Sequence, residues 1–304
     1  MQSPGDPKRA GAIDKDSEAH PSDGVRVRFP LGHFYDPHPD TRELEREPRR
    51  SQVWPAVPRD VPGIGWRDRA QLDLCREVFA RQQRLEFPRT ATDDPHEYYG
   101  ENGVYPPLDA WILEAMVRHL RPRRIIEVGS GHSTLVSARV NQTFFGGGIQ
   151  LTAIEPHPPE FLDGLPGLSE LRVEQVQDTP LEVFAGLQDG DVLFIDTSHT
   201  VKTGGDVAWL FGQVVPRLAP GVAVHVHDIF LPEDYPQQWV LDGSGWNELY
   251  LLQAFLAFNS AFEVSFGAMW MGLHHREALL DAFPCWGDYG YGAGGSLWIR
   301  RAAT

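Results

Sequence analysis

The chain has 304 residues, 41% of them hydrophobic, and carries 42 acidic against 27 basic side chains for a formal charge of -15. It can bury a full core as one large or two small domains, and it contains no apolar run of the roughly 18 residues that a membrane-spanning helix needs. Its acidity argues against a nucleic-acid backbone as a general partner, because like charges repel. Cys75 and Cys285 stand far apart and match no metal or redox spacing, and no apolar signal region opens the chain, so a reducing cytoplasm is the expected location.

Residues 1–24 are rich in Pro, Gly, Ser, Asp and Lys with almost no large apolar side chain, which predicts a disordered tail. In residues 26–40, RVRFPLGHFYDPHPD, the anchors Phe29, Leu31, Phe34 and Tyr35 are interrupted by Pro30, Pro37 and Pro39, so an irregular but ordered strap is expected. Stapling to the core explains its aromatics more simply than lining a pocket does. Residues 41–60 read as a charged, proline-punctuated surface linker. A helix is predicted over 67–83 from the apolar face of Leu72, Leu74, Val78 and Phe79. The polar and aromatic loop 96–106 comes next, too dense in hydrogen-bonding groups for a mere spacer. The domains expected are thus the tail, a strap and helical cap over 25–106, and a main domain over 107–304.

The main domain opens with a helix over 107–120, whose Leu108, Trp111, Ile112, Ala115 and Met116 share one face. Strands and helices then alternate, the pattern of a doubly wound α/β sheet with helices on both faces. Strands are predicted at 124–128, 151–155, 171–176, 192–195 and 222–227. Helices are predicted at 205–217 and 246–258, and strands at 262–271 and 296–300 close the chain. Residues 123–134, RRIIEVGSGHST, organise the rest: an apolar strand, then a turn opened by Gly129 and Gly131, then a helix from 135 capped by Ser133 or Thr134. In a dinucleotide fingerprint Thr134 would be a third glycine. Glu127 would repel a pyrophosphate but suits a cationic ligand, and Glu155, ending the second strand, can accept from ribose hydroxyls. An adenosine without phosphates fits this pair.

Glu127, Gly129, Ser130 and Gly131, with Glu155 after the next strand, resemble the cofactor site of class I S-adenosylmethionine-dependent methyltransferases over the last two thirds of the chain. The resemblance implies a Rossmann-like, mostly parallel seven-stranded sheet finished by two terminal strands.

Ligands in open α/β sheets bind beyond the carboxyl ends of the strands. Gln177 and Asp178 stand there after the third strand and are candidates for the adenine edge, although a loop-solubilising role serves equally well. Asp196, Ser198 and His199 come after the fourth strand, and His227 and Asp228 after the fifth. Two carboxylates on adjacent strands, completed by water and substrate hydroxyls, describe a Mg²⁺-type site, and neighbouring histidines also admit Mn²⁺ or Fe²⁺. The stretch resembles the Methyltransferase-24 and catechol O-methyltransferase-like branch. That resemblance implies that Asp196 and Asp228, joined here by His227, hold a divalent metal that orients and acidifies a substrate hydroxyl.

Catechol methyltransferases carry a lysine where this chain has His199, so His199 is the candidate base, beside Asp196 as the second catalytic residue. The blander reading makes both aspartates loop caps and His199 a backbone partner. His225, deeper in its strand, reads as a core histidine, and Trp239, Trp246 and Glu248 as packing and a first-turn charge near an acceptor pocket. The function expected is methylation of an oxygen, or else a nitrogen, of a small sugar-bearing or phenolic acceptor, with self-association left open. Two other classes fit parts of the pattern. A nicotinamide-dependent oxidoreductase is opposed by Thr134 and Glu127, and a non-catalytic methyltransferase-like module by the clustering of Asp196, His199 and Asp228.

Overall fold

The computed structural model describes residues 29–289 and 292–303. The expected tail and the first residues of the strap therefore lie outside the described residues. Two short helices, α1 (Thr41–Leu44) and α2 (Arg49–Val53), replace the expected linker, α1 being capped by the Asp40 carboxylate accepting from Arg42 N. Helix α3 (Asp68–Asp73) continues through a π turn (Leu74–Val78) and a 3-10 turn (Phe79–Arg81), and α4 spans Pro107–Leu120 with proline at its first position.

The sheet begins with β1 (Arg124–Val128), α5 (His132–Phe145), β2 (Gln150–Ile154) and β3 (Glu170–Arg172). It continues through α6 (Leu181–Ala185), β4 (Val192–Ile195), α7 (Asp206–Trp209, extended by irregular turns to Arg217) and β5 (Ala223–Val226). Then come α8 (Gln237–Leu241), α9 (Glu248–Leu256), β6 (Phe262–Gly267), α10 (Ala268–His274), α11 (Arg276–Ala282) and β7 (Leu297–Arg301).

The seven strands run in the order β3-β2-β1-β4-β5-β7-β6, parallel except for β7, which is antiparallel to both its neighbours. The sheet is an open Rossmann-like one, as expected. Successive residues of a strand point to opposite faces, and both faces are buried. Ile125, Leu151, Val192 and Phe194 pack under α4 and α5, whereas Ile126, Leu193, Ile195 and Val224 pack under α7 and α9. Strand order reverses between β1 and β4, which opens a crevice at their carboxyl ends.

Most boundaries shift by a residue or two, and three differences have a clear physical reason. Helix α5 starts at His132 because Gly131 is its N-cap, and Thr134 Oγ1 accepts from Gly131 N at 3.0 Å from inside the first turn. Strand β3 keeps only three ladder pairs at the sheet edge, and Val176–Asp178 coil into a 3-10 turn. Residues 268–271 are helical rather than extended. The Gly267 N–H donates to Gln71 Oε1 at 2.8 Å, and the chain turns into α10.

Candidate active site

Gly129 ends β1 with φ +79°, and a Cβ there would lie 1.7 Å from the Asp196 carbonyl oxygen. Only glycine lets the turn rest directly on the end of β4. Beyond it lies a cavity of about 430 Å³ whose lining includes Gly129, Glu155, Gln177, Asp196, Ser198 and Asp206. Glu155 is held in place by backbone donors, Ser130 N at 3.3 Å and His157 N at 2.8 Å. Asp206, in the first turn of α7, pins the loop after β4 by accepting from Ser198 N and Ser198 Oγ at 2.9 and 2.6 Å.

Glu127 is fully buried beneath the turn. Its Oε1 accepts from Ser133 Oγ at 2.5 Å and Thr134 Oγ1 at 3.0 Å, while Oε2 has no hydrogen-bond partner. Burial pushes its carboxyl up to about 8, opposed by the two hydroxyl donors. The hydroxyls on the first turn of α5 thus hold the acid of β1, which is the use this chain finds for the position where a dinucleotide site has glycine.

Next to the cavity, the ends of β4 and β5 assemble a cluster of carboxylates and imidazoles. Asp196 Oδ1 lies 3.3 Å from His199 Nε2 and 3.5 Å from His227 Nδ1. Asp228 reaches the same two rings at 3.5 and 3.6 Å. Each ring is backed by a buried carboxylate from a helix: Glu248 of α9 lies 3.0 Å from His199 Nδ1, and Asp109 of α4 lies 3.4 Å from His227 Nε2. His199 and Asp228 hold left-handed φ of 52° and 56°, conformations that non-glycine residues keep only where the surroundings impose them.

The charges are set by this mutual arrangement. Burial alone would raise the Asp196 carboxyl, but the His227 and His199 imidazoles hold it well below the usual carboxylate range. Burial opposes a charge on His199, yet its hydrogen bonds to Asp196 and Glu248 lift it to about 10. His227 is raised well above its ordinary value against the same penalty, chiefly by Asp228 and Asp196. Burial raises Asp228 and Glu248.

Carboxylates thus surround a point that favours positive charge. Ligating atoms of Asp196, His227 and Asp228 lie within 4.8 Å of one another. The contacts of His227 at 3.4 to 3.6 Å are long for hydrogen bonds, so both its buried ring nitrogens lack a well-formed partner. An O, N, O donor set with an unsatisfied imidazole nitrogen fits a divalent cation.

Residues 126–229 match a family model described as a methyltransferase domain. A stretch of 185 residues is 33% identical to an uncharacterized protein of Archaeoglobus fulgidus, over 58% of this chain and 82% of that relative. The chain belongs to the class I S-adenosylmethionine-dependent methyltransferase family.

Solved structures to which this methyltransferase is similar include the O-methyltransferase TomG from Streptomyces achromogenes, involved in tomaymycin synthesis and bound to SAM. It is 16% identical, with 84% of this chain and 95% of that chain covered and a TM-score of 0.40. Another is the O-methyltransferase from Bacillus cereus in complex with SAH, 14% identical, with 83% and 96% covered and a TM-score of 0.39.

Of the residues the sequence singles out in this methyltransferase, the structure brings Gly129, Glu155, Gln177 and Asp196 to one cavity, and Asp196, His199, His227 and Asp228 to the cluster beside it. Ser130 and Gly131 belong to the turn that frames the cavity and Glu127 to the strand beneath it, none of the three lining the cavity, and Asp178 is exposed on the 3-10 turn after β3. His225 is a core residue, stacked on Trp298 at 4.4 Å and hydrogen-bonded to Ser296. Trp246 lies against the His199 ring at 4.4 Å and Trp239 lies edge-on to Trp246.

Asp109, Asp206 and the supporting role of Glu248 escape sequence reasoning. Asp206 and Glu248 look like ordinary first-turn acids, and Asp109 is a single charge in an otherwise apolar first turn. The loop 96–106 is a brace: Asn102 ties its turn together, and Tyr105 packs its ring on His227 at 4.7 Å.

Proposed function

We propose that this methyltransferase moves the methyl group of S-adenosylmethionine to a hydroxyl oxygen of a small polar metabolite, sugar-bearing or phenolic, with help from a divalent metal. The observation that carries the reading is the double membership of Asp196: it lines the cavity beside Gly129 and Glu155 and also belongs to the Asp196, His227 and Asp228 cluster. Glu155 would take the ribose hydroxyls, and the turn over Glu127 would take the sulfonium-bearing end. The sulfonium supplies an already reactive methyl donor, so the protein's contribution is alignment of the acceptor and removal of its proton. A metal held by Asp196, His227 and Asp228 would supply orientation and acidification of the acceptor hydroxyl. His199 is positioned to receive that proton. Its ring is fixed by Glu248; because the surrounding carboxylates keep it protonated near neutral pH, it would serve as base only after giving up its own proton, which a cation bound between Asp196 and Asp228 would favour. Trp246 and Trp239 offer apolar faces next to His199 for the body of the acceptor.

Calorimetry with S-adenosylhomocysteine tests the donor site. Glu155→Ala is expected to weaken binding by about tenfold or more, as loss of a charged hydrogen-bond acceptor implies. Unchanged affinity would remove the basis of the assignment. Turnover of a panel of catechols and glycosides should stop in EDTA and return with Mg²⁺ or Mn²⁺, and full activity in chelator would overturn the metal reading.

A further inference from the structure

Asp109 stands in the first turn of α4, fully buried, in a cradle built from the other end of the chain. Its Oδ2 accepts from Gly295 N and its Oδ1 from Ser296 N, both at 3.1 Å. Gly294 holds φ +79°, and a Cβ there would lie 2.5 Å from Asp109 Oδ1. A Cβ on Gly295 would meet the Asp228 backbone at 2.8 Å, and the Gly295 carbonyl accepts from Ile229 N at 2.9 Å. The turn before β7 is therefore wedged between Asp109 and Asp228 and fixes each relative to the other. The carboxylate so fixed is the group nearest His227 Nε2, at 3.4 Å, and the opposite ring nitrogen, Nδ1, faces Asp196 and Asp228 at 3.5 and 3.6 Å. All three distances are long for a hydrogen bond, so the carboxylates act on the ring through its position between them rather than through a formed bond.

We infer that Asp109 is the positioning residue of the metal centre, keeping the His227 proton on Nε2 and so turning the Nδ1 lone pair toward Asp196 and Asp228. An imidazole can ligate only through an unprotonated nitrogen, and a carboxylate on the far nitrogen selects the tautomer that leaves the near one free. This inference rests on the metal reading above. Asp109 touches neither the donor cavity nor the acceptor, so its effect is on cation affinity and not on binding of the donor.

The test is Mn²⁺ titration of the full chain, read by electron paramagnetic resonance. Asp109→Asn presents an amide donor to Nε2 and favours the opposite tautomer. It is expected to weaken Mn²⁺ binding about 10- to 100-fold with S-adenosylhomocysteine affinity unchanged. In a His227→Ala background the same substitution should add no further loss, because Asp109 acts through that ring. A second measurement needs no variant: ¹⁵N imidazole spectra of the wild-type protein loaded with diamagnetic Zn²⁺ should show His227 protonated at Nε2 and ligated at Nδ1. Wild-type Mn²⁺ affinity in a folded Asp109→Asn protein, or a proton on Nδ1 in the Zn²⁺ form, overturns the inference while leaving the metal reading intact. A wild-type protein that binds neither ion overturns both.

Discussion

At the scale of single residues, Gly129 couples the two halves of the site. Its missing Cβ lets the turn over the cavity touch the carbonyl of Asp196, whose side chain serves the neighbouring cluster. Gly129→Ala would place a methyl 1.7 Å from that oxygen at a left-handed φ. The backbone strain alone costs about 1–3 kcal/mol, and the clash adds to it. Urea unfolding should therefore show a loss of at least that size, and S-adenosylhomocysteine binding should fall with it. Wild-type stability and affinity would mean that the close approach does not exist. The two imidazoles show the same economy: His199 and His227 each present one nitrogen to the Asp196 and Asp228 pair and the other to a carboxylate from a helix, Glu248 or Asp109. Each imidazole therefore lies between carboxylates, which offsets part of the cost of burying so many ionisable groups.

At the scale of elements, the segment ahead of the sheet is tied to the sheet's last strands. Gln71, buried in α3, donates to the Trp66 carbonyl and accepts from Gly267 N at the end of β6. Trp66 stacks flat on Trp270 of α10 at 4.3 Å, and Asp68 accepts from the Trp270 indole at 3.0 Å and lies 2.6 Å from His275 Nε2. Gln71→Ala would strand the Gly267 donor and the Trp66 acceptor in the core. A loss of about 1–3 kcal/mol is expected by chemical denaturation, with S-adenosylhomocysteine affinity unchanged because the cavity beside Gly129 is built from other elements. Equal unfolding midpoints for wild type and variant would show that the clamp contributes nothing. Helix α4 has a double part of a similar kind, covering one face of the sheet with apolar side chains while delivering Asp109 to His227 from its first turn.

At the scale of the whole molecule, the sheet holds Glu127 away from water, and this gives stability a definite pH dependence. A glutamate ordinarily ionises near 4.5, and burial takes this one to about 8 in the folded chain. Below 4.5 both states hold the proton and the group is neutral in its effect. As pH rises from 4.5 to about 8 the unfolded chain releases the proton while the folded chain keeps it, so stability falls across that window. Glu127→Gln keeps an acceptor for Ser133 and Thr134 but cannot ionise. The melting temperature of the wild type should drop more steeply across the window than that of the variant, and parallel curves would show that Glu127 ionises normally.

The sequence by itself determined the features that local pattern encodes. Apolar runs bounded by glycine and proline located the starts of the strands to within about a residue, including β4 in full, and the polar residues just beyond them pointed to the cavity and to Asp196, His199, His227 and Asp228. Those residues sit next to strand ends in sequence and in space alike, so their positions in the site were legible. Where local pattern competes with long-range contacts it failed. The apolar stretch 268–271 reads as strand, and only its packing against Trp66 and Gln71 shows why it coils. Strand β3 is cut short where the chain leaves the ladder after Arg172 and Val176–Asp178 coil into a 3-10 turn. Asp109 lies far from His227 along the chain and carries no spacing signal; only the tertiary fold, by bringing the first turn of α4 and the turn before β7 against β5, makes it part of the site.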